Sequence, residues 1–540
     1  MYPLCFNILV SSYYNKDRIY FWGNQTIMSK IQSYNPATLE LVGEVDEVAP
    51  DFIPIVVRNA KKIQKEWNSV PIKKRRKLLK DLLQYLSDNL EDIAKIIHQE
   101  TGKPRIEAIN SDIMAGMAAL KYVVSAIKDV LKKRKIKFKG MNFAMRMLGR
   151  SSYIKPKPVG VIGIISPWNF PFGIPFSQIV FAIAAGNAVI LKPSSETVLT
   201  GLKIKDIFEN VGFPEHLVQV VPGSGSRVGS SLVKSKVDRI IFTGSVAVGR
   251  KIMEMASQRL TPVTLELGGK SPMVVLEDAD IKRAVKGAIW SSFVNAGQIC
   301  AGVKRIYVQD KIYPQFLDLI TQDVGKLKQG QGWDDPEITI GPLINEAAMK
   351  DMEAHVKKAL EQGCRVVIGG KKNPDLKGYF FEPTVITDVD QKDDIVQEEI
   401  FGPIIAVLPF STDEQAINLA NDTKFGLYGS VWTEDFERGK TIAEKLSMGT
   451  IAINNHAYTY GLPQTPWGGN KNSGFGRTHG ELGFHEMLEP HHIHVDKQRI
   501  DSDLWWPPYT QEKLETQKDL SDFLFLNKFG KIFKILKKLF

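Results

Sequence analysis

One cysteine lies in a setting that suits a nucleophile. Cys300 belongs to the segment NAGQICAG (residues 295–302), where small residues allow a ligand to approach the thiol closely. It follows a run with helical character at residues 284–293. A thiolate is a competent nucleophile, so this setting favours a catalytic cysteine. A lone cysteine is more often a buried structural thiol, and the segment by itself leaves both interpretations open.

Two further polar residues stand in unusual surroundings. Glu266 lies between leucines and before two glycines in LELGGK (265–270), where an acid could act in catalysis or merely cap a helix. Asn169, in SPWNFP (166–171), follows an apolar strand whose carboxyl end would face a ligand in an open parallel sheet. A turn-forming asparagine between prolines is the alternative. Each motif alone therefore leaves a structural role open.

Hydrophobic periodicity indicates the elements that must position these residues. From residue 51 to about residue 130 the apolar residues recur at helical spacing, as Ile63 and Trp67 do. From Pro158 onward, near-continuous apolar strands alternate with helices. The predicted strands are 159–165, 188–191, 218–221 and 239–242, and, in a second series, 273–276, 305–308, 365–368, 404–407 and 449–453. The fold class is therefore α/β, with parallel sheets covered by helices on both faces.

Composition narrows the class of protein. The 540 residues, 43% hydrophobic and 24% charged, suit a soluble globular chain of about three or four folding units. Only three cysteines occur, which excludes a disulfide framework and favours a reducing, cytoplasmic compartment. The formal charge of +10 accompanies no recognisable nucleic-acid-binding motif, so we expect no nucleic-acid partner.

Further motifs give the chain a resemblance to the aldehyde dehydrogenase superfamily from about residue 29 to residue 496. Besides the three segments above, they are LKPS (191–194), FTGSVAVG (242–249), EEIFGP (398–403) and NSGFGR (472–477). The resemblance implies an NAD(P)-dependent, hydrolytic enzyme that oxidises an aldehyde to a carboxylate. It also implies a Rossmann-like parallel-sheet cofactor domain, an α/β catalytic domain and a β oligomerisation arm.

The resemblance implies roles for the three residues. Cys300, as thiolate, would attack the aldehyde carbon, and the Asn169 amide with the Cys300 backbone N–H would stabilise the resulting oxyanion. Hydride transfer to the nicotinamide would leave a thioester, and Glu266 would deprotonate the water that hydrolyses it. A carboxylate in an apolar setting has a raised pKa, which suits such a base.

The cofactor site lacks the three-glycine dinucleotide fingerprint, because GSVAVG (244–249) stands where the resemblance places it. Ser245 and the helix it begins would meet the pyrophosphate, and Lys192 the adenosine ribose. The other implied cofactor-binding residues are Trp168, Ser195, Gly225, Glu399 and Phe401. Ser195 stands where NAD-preferring relatives often carry an acid that repels a 2′-phosphate. A neutral serine there predicts that NADP is accepted as well as NAD.

The same resemblance divides the chain into parts. In chain order these are a disordered N-terminal extension (1–27), an NAD(P)-binding domain (28–140 and 156–266), an oligomerisation arm (141–155 and 471–497), a catalytic domain (267–470) and a basic amphipathic tail (498–540). The arm would join subunits into homodimers or homotetramers. Four histidines between Phe484 and Val495 are better explained by an exposed edge strand than by a metal site, so no metal is expected.

The last eighteen residues, 523–540, hold five lysines and no acid. Plotted as one helix, Phe525, Phe529 and Phe533 share a face with other apolar residues, and the lysines lie opposite. This composition is typical of a helix in a membrane interface, so peripheral contact with a membrane is one prediction. Packing of the helix on the oligomer is the alternative.

The sequence constrains the substrate less than the reaction. Several aromatic residues could line the substrate tunnel and favour an apolar or long-chain aldehyde: Trp168, Phe170, Phe293, Tyr458 and Tyr460. Succinate semialdehyde is the nearest alternative, but it needs an arginine in the tunnel, and Arg305 is expected to be structural. A CoA-acylating enzyme and a non-catalytic membrane scaffold are more distant alternatives. The presence of Glu266 argues against the first, and the complete set of three catalytic residues against the second.

Overall fold

The structure is a computed structural model that describes residues 29–138, 146, 149–526, 528–531 and 533–535. The predicted extension at residues 1–27 lies outside this part of the chain.

The described strands are, in chain order, β1 (Lys30–Tyr34), β2 (Leu41–Asp46), β3 (Arg134–Ile136), β4 (Ser151–Pro158), β5 (Val161–Ile165), β6 (Ala188–Lys192), β7 (Val218–Val220), β8 (Arg239–Thr243), β9 (Val263–Glu266), β10 (Ser271–Val275), β11 (Val303–Gln309), β12 (Lys328–Gln329), β13 (Ile338–Ile340), β14 (Arg365–Ile368), β15 (Thr384–Thr387), β16 (Ile404–Phe410), β17 (Phe425–Gly426), β18 (Tyr428–Trp432), β19 (Thr450–Ile453), β20 (Asn470–Lys471), β21 (Gly474–Phe475) and β22 (Leu488–Val495).

Helices connect most of these strands. In chain order they are α1 (Ile53–Ser69), α2 (Ile72–Asp88), α3 (Leu90–Thr101), α4 (Ala115–Val130), α5 (Gly173–Ala185), α6 (Val198–Val211), α7 (Ser230–Lys234), α8 (Val246–Ser257), α9 (Ile281–Phe293), α10 (Tyr313–Val324), α11 (Glu346–Glu361), α12 (Asp394–Gln397), α13 (Asp413–Asn421), α14 (Phe436–Lys445), α15 (Gly480–Glu486) and α16 (Gln511–Leu526). A π-helical segment at Ala108–Met114 leads into α4.

The first sheet has the strand order β21–β9–β8–β5–β6–β7, and only β21 is antiparallel. Every residue of β5 and β6 is buried, as expected for strands that helices cover on both faces. Helix α5 is buried along its whole length, which explains why it is apolar on all sides. The strand order reverses between β5 and β8, and ligands of such sheets bind outside the carboxyl ends at that point. The expectation of a Rossmann-like sheet is confirmed.

The second sheet has the order β14–β15–β16–β11–β10–β18–β19, with β14 alone antiparallel. Its own buried apolar cluster confirms a second α/β unit. The sequence patterns place five of its strands within a few residues. They miss β15 and β18, as they miss β9 of the first sheet, because threonine, glycine and serine interrupt the apolar runs there.

A third sheet lies where the oligomerisation arm is expected. Strand β22 pairs antiparallel with β4 along its whole length, and β3 pairs with the other edge of β4. The segment assigned to the arm also includes β21, but Gly474 of that strand pairs with Glu266 in the first sheet. The role of this sheet in joining subunits remains a prediction, as do the domain boundaries.

The described part of the C-terminal tail is not one continuous helix. Helix α16 ends at Leu526, and a 3-10 turn follows at Phe529–Lys531. The prediction of a single helix through residues 525–540 is therefore wrong for these residues, and residues 527, 532 and 536–540 lie outside the described chain. Lys531 pairs with both Asp519 and Asp522 at 2.7 Å, and these ion pairs hold the turn against α16.

The start of the tail is anchored to the third sheet. Arg150, just before β4, pairs with Asp496 at 2.7 Å and also with Asp503, and its guanidinium lies 5.3 Å from the centre of the Trp505 ring. Within the described ranges, none of the helices combines the length and apolar character needed to cross a membrane.

Candidate active site

The candidate nucleophile follows α9 by way of a left-handed turn. Asn295, Ala296 and Gly297 have φ angles of 53°, 51° and 71°. Such angles are uncommon for residues other than glycine, and asparagine tolerates them better than most. Beyond the turn, Cys300 is half-buried while Ile299 is buried in front of it. Cys300 is therefore the least buried residue of a segment that is otherwise packed into the core.

Asn169 lies at the carboxyl edge of the first sheet, after β5, and is only 3% exposed. Its Nδ2 donates a hydrogen bond to the backbone oxygen of Gln298 at 3.0 Å. The structure thus brings the amide to the loop of Cys300, although the two segments are far apart in the sequence. An amide nitrogen carries a second hydrogen, which can be donated to an oxyanion.

Glu266 is the last residue of β9, so a strand rather than a loop positions it. Its Oε1 accepts a hydrogen bond from the Thr478 hydroxyl at 3.5 Å, and its Oε2 is buried without a partner among the described residues. Burial raises the pKa of Glu266 to about 8, although the nearby Arg477 acts to lower it. A base whose pKa lies near neutral pH is suited to activating water.

The thiol and two carboxyl groups interact electrostatically. Burial raises the pKa of Cys300 to about 12, and the negative charges of Glu266 and Glu399 act in the same direction. The thiol is therefore protonated near neutral pH in this structure. Both carboxyl groups therefore act on the protonation of the same thiol.

The two glycines after Glu266 are explained by the groups that lie against them. A Cβ at Gly268 would stand 2.1 Å from Glu399 Oε2, and a Cβ at Gly269 would stand 2.2 Å from the backbone oxygen of Cys300. The Gly269 N–H also donates a hydrogen bond to Glu399 Oε1 at 3.1 Å. Only glycine permits this approach, so the loop joins the candidate base, the nucleophile segment and Glu399.

Aromatic side chains lie beside the thiol and beside Glu399. Phe170 and Tyr460 pack with Cys300 against one buried cluster. Trp168 contacts Phe401 edge-on, with ring centroids 5.4 Å apart. Phe170 and Tyr460 therefore support the prediction that an apolar surface for the substrate lies beside Cys300.

Of the other two predicted tunnel residues, one lies elsewhere and the other stays a prediction. Phe293 is 1% exposed in the core of the second sheet, so its assignment to the tunnel is wrong: the residue ends α9 and packs inward. Tyr458 is about half exposed. Arg305 is fully buried and donates hydrogen bonds to backbone oxygens of Lys270 and Ala420, both at 2.9 Å, which agrees with the structural role expected for it.

The predicted adenosine-side residues lie together at the carboxyl edge of β6. Burial lowers the pKa of Lys192 to about 8, and the charge of Glu47 opposes that change. The hydroxyl of Ser195 donates a hydrogen bond to the backbone oxygen of Gly223 at 3.4 Å. Lys192 and Ser195 thus border the loop after β7, which contains Gly225.

The sequence analysis did not identify two charged residues of this region. Glu47 accepts a hydrogen bond from the Ser224 backbone N–H at 3.0 Å and pairs with Arg227 at 3.2 Å. The Arg227 side chain is 39% exposed, so part of its guanidinium faces solvent. These two residues add one negative and one positive charge beside the loop of Gly225.

The nucleotide side offers room for a ligand. A Cβ built on Gly225 meets no protein atom within 4 Å. Ser245 caps α8 by accepting a hydrogen bond from the Val248 N–H at 3.4 Å, and the first turn of α8 is largely exposed. Helix N-termini favour anions such as a pyrophosphate. The open loop, the helix start and the nearby Lys192 therefore fit an NAD(P) molecule.

Among the described residues, no group of three or more His, Cys, Asp and Glu side chains is arranged so that it could hold a metal ion. His492 and the other histidines of β22 lie on its largely exposed strand.

The fold and the site together define a class of protein. The Rossmann-like sheet carries an open nucleotide-side edge together with a buried amide (Asn169) and a buried carboxyl group (Glu266), and the amide bonds to the segment of the half-buried Cys300. These are the features of a dinucleotide-dependent oxidoreductase.

Comparison with known proteins gives the family. Residues 22–493 match the model of the aldehyde dehydrogenase family. The chain belongs to the aldehyde dehydrogenase family and is an oxidoreductase that acts on aldehydes with NAD or NADP.

Three similar proteins illustrate the range of the family. The 4,4'-diapolycopene aldehyde oxidase of Methylomonas sp is 34% identical over 499 residues, which cover 92% of each chain. The NADP(+) succinate-semialdehyde dehydrogenase of Escherichia coli (strain K12) is 34% identical over 456 residues, 84% of this chain and 92% of its own. A crystal structure of a Mycobacterium tuberculosis aldehyde dehydrogenase complexed with NAD+ superposes with a TM-score of 0.82 at 35% identity and covers 88% of this chain and 96% of its own.

Proposed function

We propose that the protein oxidises an aldehyde to its carboxylate through covalent intermediates on Cys300, with Asn169 as the oxyanion donor and Glu266 as the general base. The observation that supports this most is the convergence of three distant segments. Asn169 donates to the loop of Cys300, and the charge of Glu266 reaches the same sulfur. A buried amide, a buried carboxyl group and a half-buried cysteine meet the needs of nucleophilic acyl chemistry.

In the first half of the reaction Cys300 releases its thiol proton to solvent, and the resulting thiolate attacks the aldehyde carbon. The carbonyl oxygen becomes an oxyanion that accepts hydrogen bonds from the Asn169 amide and the Cys300 backbone N–H. Lys192 and the start of α8 would hold NAD(P), which would supply the hydride acceptor, and the carbon bonded to Cys300 would become a thioester.

In the second half Glu266 accepts a proton from water while the oxygen of that water bonds to the thioester carbon. The C–S bond then breaks, which releases the acid and restores the Cys300 thiolate. Since the pKa of Glu266 is raised to about 8, most of this base is protonated at pH 7, and hydrolysis accelerates as the pH rises.

The experiment that tests this function is cofactor reduction by the full-length protein with straight-chain aldehydes of increasing length. We expect reduction of NAD or NADP at 340 nm, with one equivalent of acid formed for each equivalent of reduced cofactor. Absence of reduction with either cofactor across the whole series would contradict the proposal.

For the substrate we propose an apolar or long-chain aldehyde. Phe170 and Tyr460 pack beside the nucleophile, and a relative of similar length is named for 4,4'-diapolycopene aldehyde. Relatives named for succinate semialdehyde exist, but the guanidinium of Arg305 is committed to backbone oxygens and cannot bind a substrate carboxylate. We expect kcat/KM for hexanal to exceed that for succinate semialdehyde by about tenfold or more, about 1.4 kcal/mol. The reverse preference would overturn this assignment.

For the cofactor we propose that NADP is used as well as NAD. Ser195 contributes no charge, and the positive charges of Arg227 and Lys192 exceed the one negative charge of Glu47, which pairs with Arg227 beside Gly225. A 2′-phosphate would meet attraction rather than repulsion there. A kcat/KM preference for NAD above about a hundredfold, or about 2.7 kcal/mol, would contradict this proposal.

We also propose that β4 and β22 join subunits into a homo-oligomer.

For the C-terminal tail we propose contact with a membrane surface. Trp506, Phe525 and Phe533 are exposed in the tail, beside a lysine-rich end. Exposed aromatic side chains among lysines suit an anionic lipid interface. The full chain should float with vesicles that contain anionic lipid, and the variant Phe525→Ser/Phe533→Ser should float less. Flotation that is absent, or equal for the two proteins, would refute the membrane contact.

A further inference from the structure

One backbone oxygen joins the segment of Asn169 to the segment of Cys300. The Asn169 oxygen accepts hydrogen bonds from Lys103 Nζ at 2.7 Å and from Asn295 Nδ2 at 2.9 Å. The same Asn295 nitrogen also lies 3.3 Å from the backbone oxygen of Gln298, which is the acceptor of the Asn169 amide. Asn295 therefore uses its amide hydrogens to bridge the two segments that carry the oxyanion donor and the nucleophile.

Asn295 is itself held firmly in a left-handed conformation. It is 4% exposed, its backbone N–H donates to Glu107 Oε2 at 2.9 Å, and its backbone oxygen accepts from Gln298 Nε2 at 3.0 Å. The φ of 53° is tolerable for asparagine and freely available to glycine. This position can therefore lose its amide without losing its backbone conformation.

Lys103 fixes the same oxygen from the other side. It is 1% exposed and pairs with the fully buried Asp112 at 2.7 Å. Asp112 accepts hydrogen bonds from the backbone N–H groups of Phe172 at 3.1 Å and Gly173 at 2.9 Å, at the start of α5. A buried ion pair contributes little net stability on average, so its place beside Asn169 calls for another role.

We propose that Asn295 and the Lys103–Asp112 pair are positioning residues that hold the Asn169 amide at a fixed place relative to Cys300. This inference rests on the proposed function, because it concerns the geometry of the same oxyanion donor. Lys103 and Asn295 bond to the backbone oxygen of Asn169, and Asn295 also bonds to the backbone oxygen of Gln298. None of these residues bonds to a reacting atom, so they act through the placement of the Asn169 amide relative to Cys300. Displacement of a reacting group by about 1 Å can reduce a rate about a hundredfold.

The decisive variant is Asn295→Gly, which keeps the left-handed turn and removes only the amide. First-turnover cofactor reduction with hexanal is measured in the wild-type and in the Asn169→Ala background. We expect Asn295→Gly to slow the first turnover about 10–100-fold in the wild-type background, with KM nearly unchanged. In the Asn169→Ala background the same change should cost less than about threefold, since the group it positions is absent. The matched control is Ala296→Gly, in the same turn, which removes no hydrogen bond and should leave the rate nearly unchanged.

Equal losses in the two backgrounds would overturn the inference, because a general disturbance of the loop acts independently of Asn169. A rise in KM without a fall in the first-turnover rate would overturn it as well. Lys103→Met gives a second approach: it should slow cofactor reduction while alkylation of Cys300 by iodoacetamide, which needs no oxyanion donor, proceeds as in the wild type. If the wild-type protein reduces neither cofactor with any aldehyde, the proposed function itself fails, and the two failures are thereby distinguished.

Discussion

The reactive side and the nucleotide side of the site differ in how tightly their residues are packed. On the reactive side Asn169 and Glu266 are almost fully buried, and their surroundings are packed closely enough that Gly268 and Gly269 admit no side chain. On the nucleotide side a side chain added at Gly225 would meet nothing within 4 Å, and the start of α8 is exposed. The reactive side thus has buried, closely packed groups, and the nucleotide side has an open surface.

This difference in packing predicts which property of the enzyme a substitution on each side should change. Groups that stabilise charge do so best where water is excluded and nothing needs to rearrange. A binding surface for a large charged ligand needs room and positive charge instead. Changes on the reactive side should therefore alter rates, and changes on the nucleotide side should alter cofactor preference.

The largest effect is expected from Cys300→Ser. The serine hydroxyl is a far weaker nucleophile than a thiolate, so neither a first turnover nor steady-state activity should be detectable. Stopped-flow absorbance of the reduced cofactor is the measurement. Cys364→Ser is the matched control, since Cys364 lies in the core of the second sheet, and it should keep the first-turnover rate. Retained oxidation in Cys300→Ser would remove the thiol from the mechanism.

Asn169→Ala should have the next largest effect. Loss of one oxyanion donor typically lowers kcat about 10²–10³-fold, and the burial of Asn169 leaves no water to replace it. The first-turnover rate with saturating hexanal reports this step. A fall in affinity for the aldehyde with an unchanged rate would assign Asn169 to binding instead.

The pH dependence of hydrolysis should follow Glu266. Because burial raises the pKa of this carboxyl group to about 8, the ionised base is lost as the pH falls through 8. Turnover limited by hydrolysis should therefore fall about tenfold for each pH unit below that value, to about one-hundredth at pH 6. Glu266→Gln should abolish this dependence and leave a burst of reduced cofactor with slow turnover. A midpoint below pH 6 in the wild type would contradict the raised pKa.

The smallest effect is expected on the nucleotide side, from Ser195→Glu. A carboxylate at this position would repel the 2′-phosphate of NADP and accept hydrogen bonds from ribose hydroxyls. We expect kcat/KM for NADP to fall about tenfold, or about 1.4 kcal/mol, with little change for NAD. Ser226→Glu, in the π-helical segment Gly225–Gly229, is a control for added negative charge. Equal losses with both cofactors would mean that Ser195 does not discriminate between them.

Sequence patterns predict the parts of the site that depend on neighbouring residues. The small residues around Cys300 and the apolar strand before Asn169 are local features, and both agree with the structure. The strand that ends at Glu266 was not predicted, because VTLE is too short and too polar to show a clear period. The tail was predicted as one helix because its amphipathic pattern outweighed Asn527 and Gly530, two residue types that commonly end helices.

The supporting contacts could not be predicted from the sequence, because they join residues that are far apart along the chain. Glu47 and Arg227 form an ion pair although they are about 180 residues apart in the sequence, and neither segment contains a pattern that predicts the pairing. Asn295 stands in the nucleophile motif itself, but its bond to the oxygen of Asn169 depends on the packing of both sheets. A local pattern carries no information about such pairings.

Direct detection of the thioester tests the central claim, that one thiol forms the covalent intermediate beside Glu266. The Glu266→Gln variant is mixed with hexanal and NAD(P), quenched in acid after one burst and digested for peptide mass analysis. We predict a hexanoyl group on Cys300, in an amount equal to the reduced cofactor formed in the burst. Reduced cofactor without acylation of Cys300, or an acyl group on Cys5 or Cys364 instead, would contradict the account.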